Sequence, residues 1–306
     1  MTARPVAVST GEKLSSAHTV HGSEKEKPTT PSSAIARPWR SRVDVTAAPY
    51  FGRYRDGVAA IWDLNADLGE GDPDLDTRLL PVITSANVAC GGHAGDDTSM
   101  SLICARAAEL GVTVGAQVSY VDRDGFGRRR LDVSAHVLRE QLAEQISVLD
   151  AHARAAGIAV AYVKPHGALY HAAAVDRGLA DVIIDAAHGL PVLTLPHGAL
   201  VEAARHRGVD VHAEAFADRG YAADGALVPR SDPRALLASN AEVIARVHRL
   251  VSRGEVVAED GSVVRVDARS ICVHSDTPGA DTIARSVRMA IEAFGADLAP
   301  FATADS

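Results

Sequence analysis

The sequence predicts an α/β fold whose parallel strands close, or nearly close, into a β/α barrel. Two observations carry this. From residue 59 onward short β-branched runs alternate with helix-length amphipathic segments, and strands separated by helices imply a parallel sheet. Polar clusters fall at the C-terminal ends of six of those runs, and a barrel gathers all such ends on one rim. An open doubly wound sheet would collect its ligand groups at one switch point, with fewer strands contributing.

The elements follow in order. The first run, 59–64, leads into Asp63-Leu64-Asn65-Ala66-Asp67-Leu68-Gly69-Glu70; the second, 82–89, carries Asn87 and is followed by Cys90-Gly91-Gly92-His93-Ala94-Gly95-Asp96. A helix is expected over 98–110, closed by Gly111, before a third run at 112–118 with Gln117-Val118-Ser119-Tyr120 at its end. Leu138, Leu142, Ile146 and Leu149 share one face of a helix over 134–156 stopped by Gly157. The fourth run, 158–164, ends in Lys164-Pro165-His166, and helices at 179–187 and 199–207 bracket a fifth run at 191–195. After the sixth run, 209–213, come Glu214 and Asp218-Arg219-Gly220-Tyr221. Val243, Ile244, Val247, Leu250 and Val251 mark a helix over 241–253. Asp260-Gly261 between two alternating segments reads as a two-residue hairpin turn within 256–266. The last run, 270–274, ends in His274-Ser275-Asp276, and a helix over 281–294 is closed by Gly295.

Composition fits one large core or two modest ones: 306 residues, 47% hydrophobic and 23% charged. No apolar run reaches the roughly 18 residues of a membrane span, and the first 30 residues lack a secretory apolar stretch, so a cytoplasmic protein is expected. Cys90, Cys104 and Cys272 form no CxxC pair and read as reduced, mostly buried thiols. Residues 1–56 hold nine Lys/Arg against five Asp/Glu, whereas residues 57–306 hold 22 against 34, a net of −12. An acidic body argues against nucleic acid as a partner. Residues 1–56 are few in large apolar side chains and lack periodicity; they are expected to be a disordered extension, or partly the product of a start site assigned too early. Residues 57–306 are expected to form a single catalytic barrel domain.

Lys164 is the only lysine in residues 57–306, where the other 21 basic residues are arginine. Where charge alone is needed this chain uses Arg, so Lys164 points to a compact ammonium whose pKa can fall on burial. Asp63, Asn65 and Asp67 alternate and so share one strand face. Carboxylates so close repel: one can hold a raised pKa and act as base, both can bind a cation with His93, or both can simply bond loop amides at the barrel mouth.

The segments 63–70, 85–96, Gly125-Phe126-Gly127-Arg128-Arg129, Lys164-Pro165-His166-Gly167-Ala168-Leu169-Tyr170, Phe216-Ala217-Asp218-Arg219, Leu227-Val228-Pro229-Arg230-Ser231 and Ile271-Cys272-Val273-His274 resemble the LamB/YcsF family, in order, over about residues 60–295. The resemblance implies a seven-stranded β/α (TIM-like) barrel similar to the glycoside hydrolase/deacetylase superfamily. It also implies a hydrolase that opens the lactam of 5-oxoproline (pyroglutamate) to L-glutamate with ATP, together with B and C subunits. Gln117-Val118 stands where the family commonly has His-Pro, a departure at the place of a base or metal ligand.

On this reading Asp67, His93, Lys164 and His166 are the expected catalytic residues. Lys164 polarises the carbonyl and His166 serves as acid or base. Asp63, Asn65, Glu70, Asn87, Arg128, Arg219, Arg230, His274 and Asp276 are expected to bind substrate, the arginines by forked bonds to a carboxylate or to a phosphorylated intermediate. Asp67 and His93 are the candidates if a divalent metal is bound. No Walker-type loop, dinucleotide fingerprint or Gly-x-Ser-x-Gly elbow occurs in the sequence, so ATP is expected to be handled mainly by partner subunits. Two other readings stay open, a stand-alone metal-dependent deacetylase or amidohydrolase and a non-catalytic substrate-binding subunit; so does assembly of identical copies.

Overall fold

A ring of seven parallel strands forms the centre of the protein, which the computed structural model describes over residues 60–303 apart from residue 238. The expectation for residues 1–56 lies outside the described residues. Strands β1 (Ile61–Leu68), β2 (Ser85–Ala89), β3 (Thr113–Val118), β4 (Val160–Pro165), β5 (Val192–Thr194) and β6 (Val211–Phe216) neighbour one another in chain order. A small antiparallel hairpin, β7 (Glu255–Val257) and β8 (Val263–Arg265), interrupts the rhythm before β9 (Ser270–Val273). β9 pairs with β6 on one side and with β1 on the other, from Asp63↔Ser270 to Ala66↔Val273, and so closes the barrel. β10 (Asp297–Leu298) adds a short pairing to the start of β1.

Around the ring lie α1 (Pro73–Leu79), α2 (Asp97–Leu110), α3 (Ala135–Ala155), α4 (Gly167–Val175), α5 (Arg177–Ala187), α6 (Ala199–Arg207), α7 (Asn240–Arg253) and α8 (Ala280–Ala293). Their ends are written locally. α2 opens with a reciprocal capping box between Asp96 and Ser99 and stops at Gly111 in the left-handed region; α7 does the same with Ser239, Glu242 and Gly254. α3 turns Leu138, Leu142 and Leu149 fully into the core, each burial contributing about 1.5–3 kcal/mol.

Three local expectations change. β1 runs to Leu68 rather than ending near residue 64, because its polar residues alternate: Leu64, Ala66 and Leu68 pack outward against the helices, while Asp63, Asn65 and Asp67 face the barrel interior. The hairpin loop has three residues, not two: the Ala258 N–H bonds to the Ser262 carbonyl, and Gly261 takes φ +85 between them. Two helices, α1 and α4, lie where none was expected, and α4 begins directly after His166.

Candidate active site

The barrel interior is polar in two layers. In the lower layer, Asp63 Oδ1 accepts from Ser85 Oγ and Thr84 Oγ1, each at 2.6 Å, and Oδ2 accepts from Ser270 Oγ. Burial pushes the Asp63 carboxyl up to about 6, against the pull of those hydroxyls. Asp63 lines neither of the two cavities bordered by Asp67 and by Glu70 and His93, so its place is beneath the rim cluster it was expected to join.

Asn65 links this layer to the one above. Its Nδ2 donates to Ser270 Oγ at 2.6 Å, and its Oδ1 accepts from Asn87 Nδ2 at 2.7 Å and from Lys164 Nζ at 3.3 Å. Asn87 also donates to Asp67 Oδ1 at 2.9 Å and accepts from the Tyr162 hydroxyl at 2.7 Å. The amides of Asn65 and Asn87 therefore serve the scaffold.

Lys164 stands at the centre of the upper layer. Its Nζ lies 2.9 Å from Glu214 Oε2, 3.2 Å from Cys272 Sγ, 3.3 Å from Asn65 Oδ1 and 3.4 Å from Asp67 Oδ1. Burial alone would lower its pKa, as expected from the sequence. The neighbouring Asp67 and Glu214 reverse this and hold it well above the ordinary lysine value, so Lys164 is a permanent ammonium. Asp67 answers it: burial raises its carboxyl, but Lys164 above all outweighs that and holds it well below the usual carboxylate range. Asp67 is thus the member of the alternating pair held down, and Asp63 the one pushed up.

Beside this cage two imidazoles stack, His93 on His166, with centroids 3.7 Å apart and planes 6° from parallel. His93 is held between Glu70 Oε1 and Ser119 Oγ, each at 3.0 Å, and Ser275 Oγ donates to the other Glu70 oxygen at 2.7 Å. His166 Nε2 donates to the Phe126 carbonyl at 3.1 Å, and Gln117 Nε2 lies 3.1 Å from its Nδ1. Burial, with His93 alongside, holds the His166 pKa well below normal, so the ring is neutral. Both of its nitrogens are engaged, which does not suit the acid–base role expected of it. The loop behind is built on glycine: the Ala168 N–H bonds to the Gly127 carbonyl at 2.8 Å, and a Cβ on Gly167 would stand 2.4 Å from that oxygen.

His274 is arranged differently. Its Nδ1 donates to Asp218 Oδ1 at 3.0 Å, and Thr277 Oγ1 fixes Asp218 at 2.5 Å, whereas Nε2 has no hydrogen-bond partner among the described residues. Phe216 stacks on the ring at 5.2 Å. A carboxylate that orients one ring nitrogen and leaves the other open is the usual arrangement of a proton carrier. The sequence places His274 among substrate ligands and shows Asp218 only as part of a motif.

A cavity of about 260 Å³ opens over these groups, lined by Asp67, Lys164, Gln117, His166, His274, Arg128 and Arg230, with Phe216, Leu227 and Pro229 as apolar wall. Arg128 Nη2 and Arg230 Nη1 converge on the same oxygen of Asp276, the latter at 2.8 Å. Arg219 also lines the cavity, but its guanidinium is buried and donates to the backbone carbonyls of Ala235 and Val228 at 3.1 and 2.7 Å. It braces a loop. Tyr170 and His171, which α4 carries into the wall, do not stand out in the sequence, where that segment shows only a motif and no helix. Burial, with the charges of Arg219, His274 and Arg230, lowers His171 to about 4.

Among the described residues two triads bring ligand-type atoms within 4.8 Å, Asp67 with Cys272 and His274, and Glu70 with His93 and His166. The metal candidates Asp67 and His93 fall in different triads. Neither triad fits a divalent cation as it stands. The Lys164 ammonium already lies against both Asp67 and Cys272, and burial keeps Cys272 a thiol where a metal needs a thiolate. In the second triad His166 has no nitrogen to spare. All three cysteines are free and buried, and among the described residues no helix is long and apolar enough to cross a membrane.

The sequence pattern of the LamB/YcsF family matches residues 62–306. The A subunit of the 5-oxoprolinase of Streptomyces avermitilis is 50% identical over 248 residues, covering 78% of this chain and 99% of that protein. Its counterpart in Mycobacterium avium is 47% identical over 247 residues, covering 78% and 98%. The crystal structure of a lactam utilization protein from Thermus thermophilus superposes with a TM-score of 0.73 at 38% identity, over 78% of this chain and 99% of that one. A protein from Enterococcus faecalis V583 shares the fold alone, with a TM-score of 0.51 at 14% identity over 79% and 97% of the two chains.

Proposed function

The chain belongs to the LamB/YcsF family, and from that premise we propose that it is the A subunit of a 5-oxoprolinase, opening the lactam of 5-oxo-L-proline to L-glutamate. The observation that carries the reading is the likeness to 5-oxoprolinase A subunits over 98–99% of their length. The geometry supports the following division of labour. Ring opening breaks the carbonyl–nitrogen bond, adds water to the carbon and delivers a proton to the departing nitrogen. His274, oriented by Asp218, has the open nitrogen that takes the proton from water and returns it. Asp67, kept ionised by Lys164, orients that water, and the Lys164 ammonium at the cavity wall faces charge developing on the carbonyl oxygen. Arg128 and Arg230, now sharing Asp276, clamp the substrate carboxylate. ATP is handled by partner B and C subunits, since this sequence has no phosphate loop.

A stand-alone metal-dependent hydrolase is disfavoured by Lys164, whose ammonium fills the position a cation would take beside Asp67. The test is glutamate release from 5-oxo-L-proline by this chain mixed with its B and C partners. Release is expected only with ATP and all three subunits. Release by this chain alone without ATP, or none in any combination, would overturn the proposal.

A further inference from the structure

Gln117 is fully buried in the cavity wall, yet its Oε1 has no hydrogen-bond partner among the described residues. The orientation of its amide is fixed by its neighbour. His166 Nε2 must carry a hydrogen, because it faces the Phe126 carbonyl, which only accepts; the ring is neutral, so Nδ1 holds a lone pair. The Gln117 atom facing Nδ1 at 3.1 Å is therefore the NH2 group, and the carbonyl oxygen is the end left over. A buried acceptor without a donor costs about 1–3 kcal/mol, a penalty removed when a ligand supplies the donor.

The position says which donor. Gln117 of β3 and Lys164 of β4 are register partners, on strands about 4.8 Å apart. An acceptor and a cationic donor thus stand side by side at the cavity wall. A lactam ring holds its amide cis, so its N–H and C=O lie along one edge, and the two match an acceptor–donor pair in that order. Resting on the 5-oxoprolinase reading, we propose that Gln117 Oε1 accepts the ring N–H of the lactam and selects it over ring esters, with His166 as the positioning residue that keeps the amide turned that way. Gln117 gives up no proton; it recognises, and the leaving nitrogen is protonated elsewhere. A lactone of the same shape places an oxygen lone pair against Oε1 and is rejected.

The test is competitive equilibrium binding of 5-oxo-L-proline and its lactone analogue, 5-oxotetrahydrofuran-2-carboxylate, to the full-length chain with its partner subunits. Wild type is expected to prefer the lactam by at least about 100-fold, as sites built around a substrate N–H do. Gln117→Leu should bring the ratio below about tenfold by weakening the lactam and leaving the lactone nearly unchanged; Gln117→Met replaces it should Gln117→Leu not fold. Gln117→Glu keeps an acceptor and should keep the preference, while His166 gains a proton on Nδ1, visible as a shift of its ring ¹⁵N resonances. His166→Phe frees the amide to turn and should lower the ratio without abolishing binding, which loss of packing alone would not do. Equal wild-type affinity for both ligands, or an unchanged ratio in Gln117→Leu and Gln117→Met, overturns the role of Gln117 and leaves the lactam reading standing. Binding of neither ligand by wild type removes that reading and this one together.

Discussion

The layer around Asp63 and the layer around Lys164 are equally buried inside one barrel, but they differ in what is left over. Asp63, Ser85, Thr84 and Ser270 bond one another, and none of their atoms lacks a partner among the described residues. The upper layer keeps Gln117 Oε1 without one, beside a His274 nitrogen that is also open, while the Tyr170 hydroxyl turns to Glu214. Buried polarity by itself is compatible with scaffold, because satisfied groups cost little; unsatisfied polarity at a cavity wall is what a ligand completes.

The contrast is broken most severely at Lys164. Lys164→Met leaves Asp67 and Glu214 as buried carboxylates without a counter-ion, and should destabilise the protein by about 3–5 kcal/mol in urea unfolding while abolishing turnover. Lys164→Arg keeps the charge but cannot place a planar fork at a point shared by four ligands at 2.9–3.4 Å. Near-normal turnover in that variant would mean the upper layer needs only charge.

His274→Gln sharpens the contrast from the other side. Turnover should fall about 100- to 10,000-fold, with the thermal unfolding midpoint close to wild type, because Asp218 keeps Thr277 and the His274 backbone N–H as donors. A large loss of stability instead would place His274 with the scaffold.

The smallest effect is expected in the lower layer and concerns pH. Asp63 is raised from 3.8 unfolded to about 6 in the fold. The folded state therefore holds its proton more tightly, so the contribution of Asp63 is most favourable below the unfolded pKa and is lost as pH rises through about 6. Relative to wild type, Asp63→Asn should gain stability between pH 4 and 7, by at most on the order of 3 kcal/mol, and keep its turnover. A flat difference across that range, measured by urea unfolding at several pH values, would show that the hydroxyls already offset burial.

Much of this arrangement was legible in the sequence. Seven β-branched runs, the rim position of the polar clusters and the isolation of Lys164 among arginines led to the barrel and to the centre of its upper layer. What was missed has physical reasons. The shared face of Asp63, Asn65 and Asp67 was legible from their alternation, but the end of the first strand was set too early, because a polar inner face interrupts the β-branched run that marks a strand. The direction of the Lys164 shift depends first on Asp67 and then on Cys272 and Glu214, which come from other strands and approach only when the ring is formed. Arg219 could not be told from a substrate ligand until its carbonyl partners were placed. The open nitrogen of His274 and the orphan oxygen of Gln117 are absences of contact, and no residue pattern encodes an absence.

The seam of the barrel gives these groups a common history. β9 supplies Cys272 and, just beyond its end, His274, and it is the last strand of the ring to be synthesised. Until it docks between β6 and β1, Lys164 lacks its thiol neighbour and His274 does not stand beside Asp218. Burial of the Cys272 thiol beneath Lys164 coincides with completion of the site, so its protection from a thiol reagent serves as a clock for the moment at which this polypeptide becomes an enzyme.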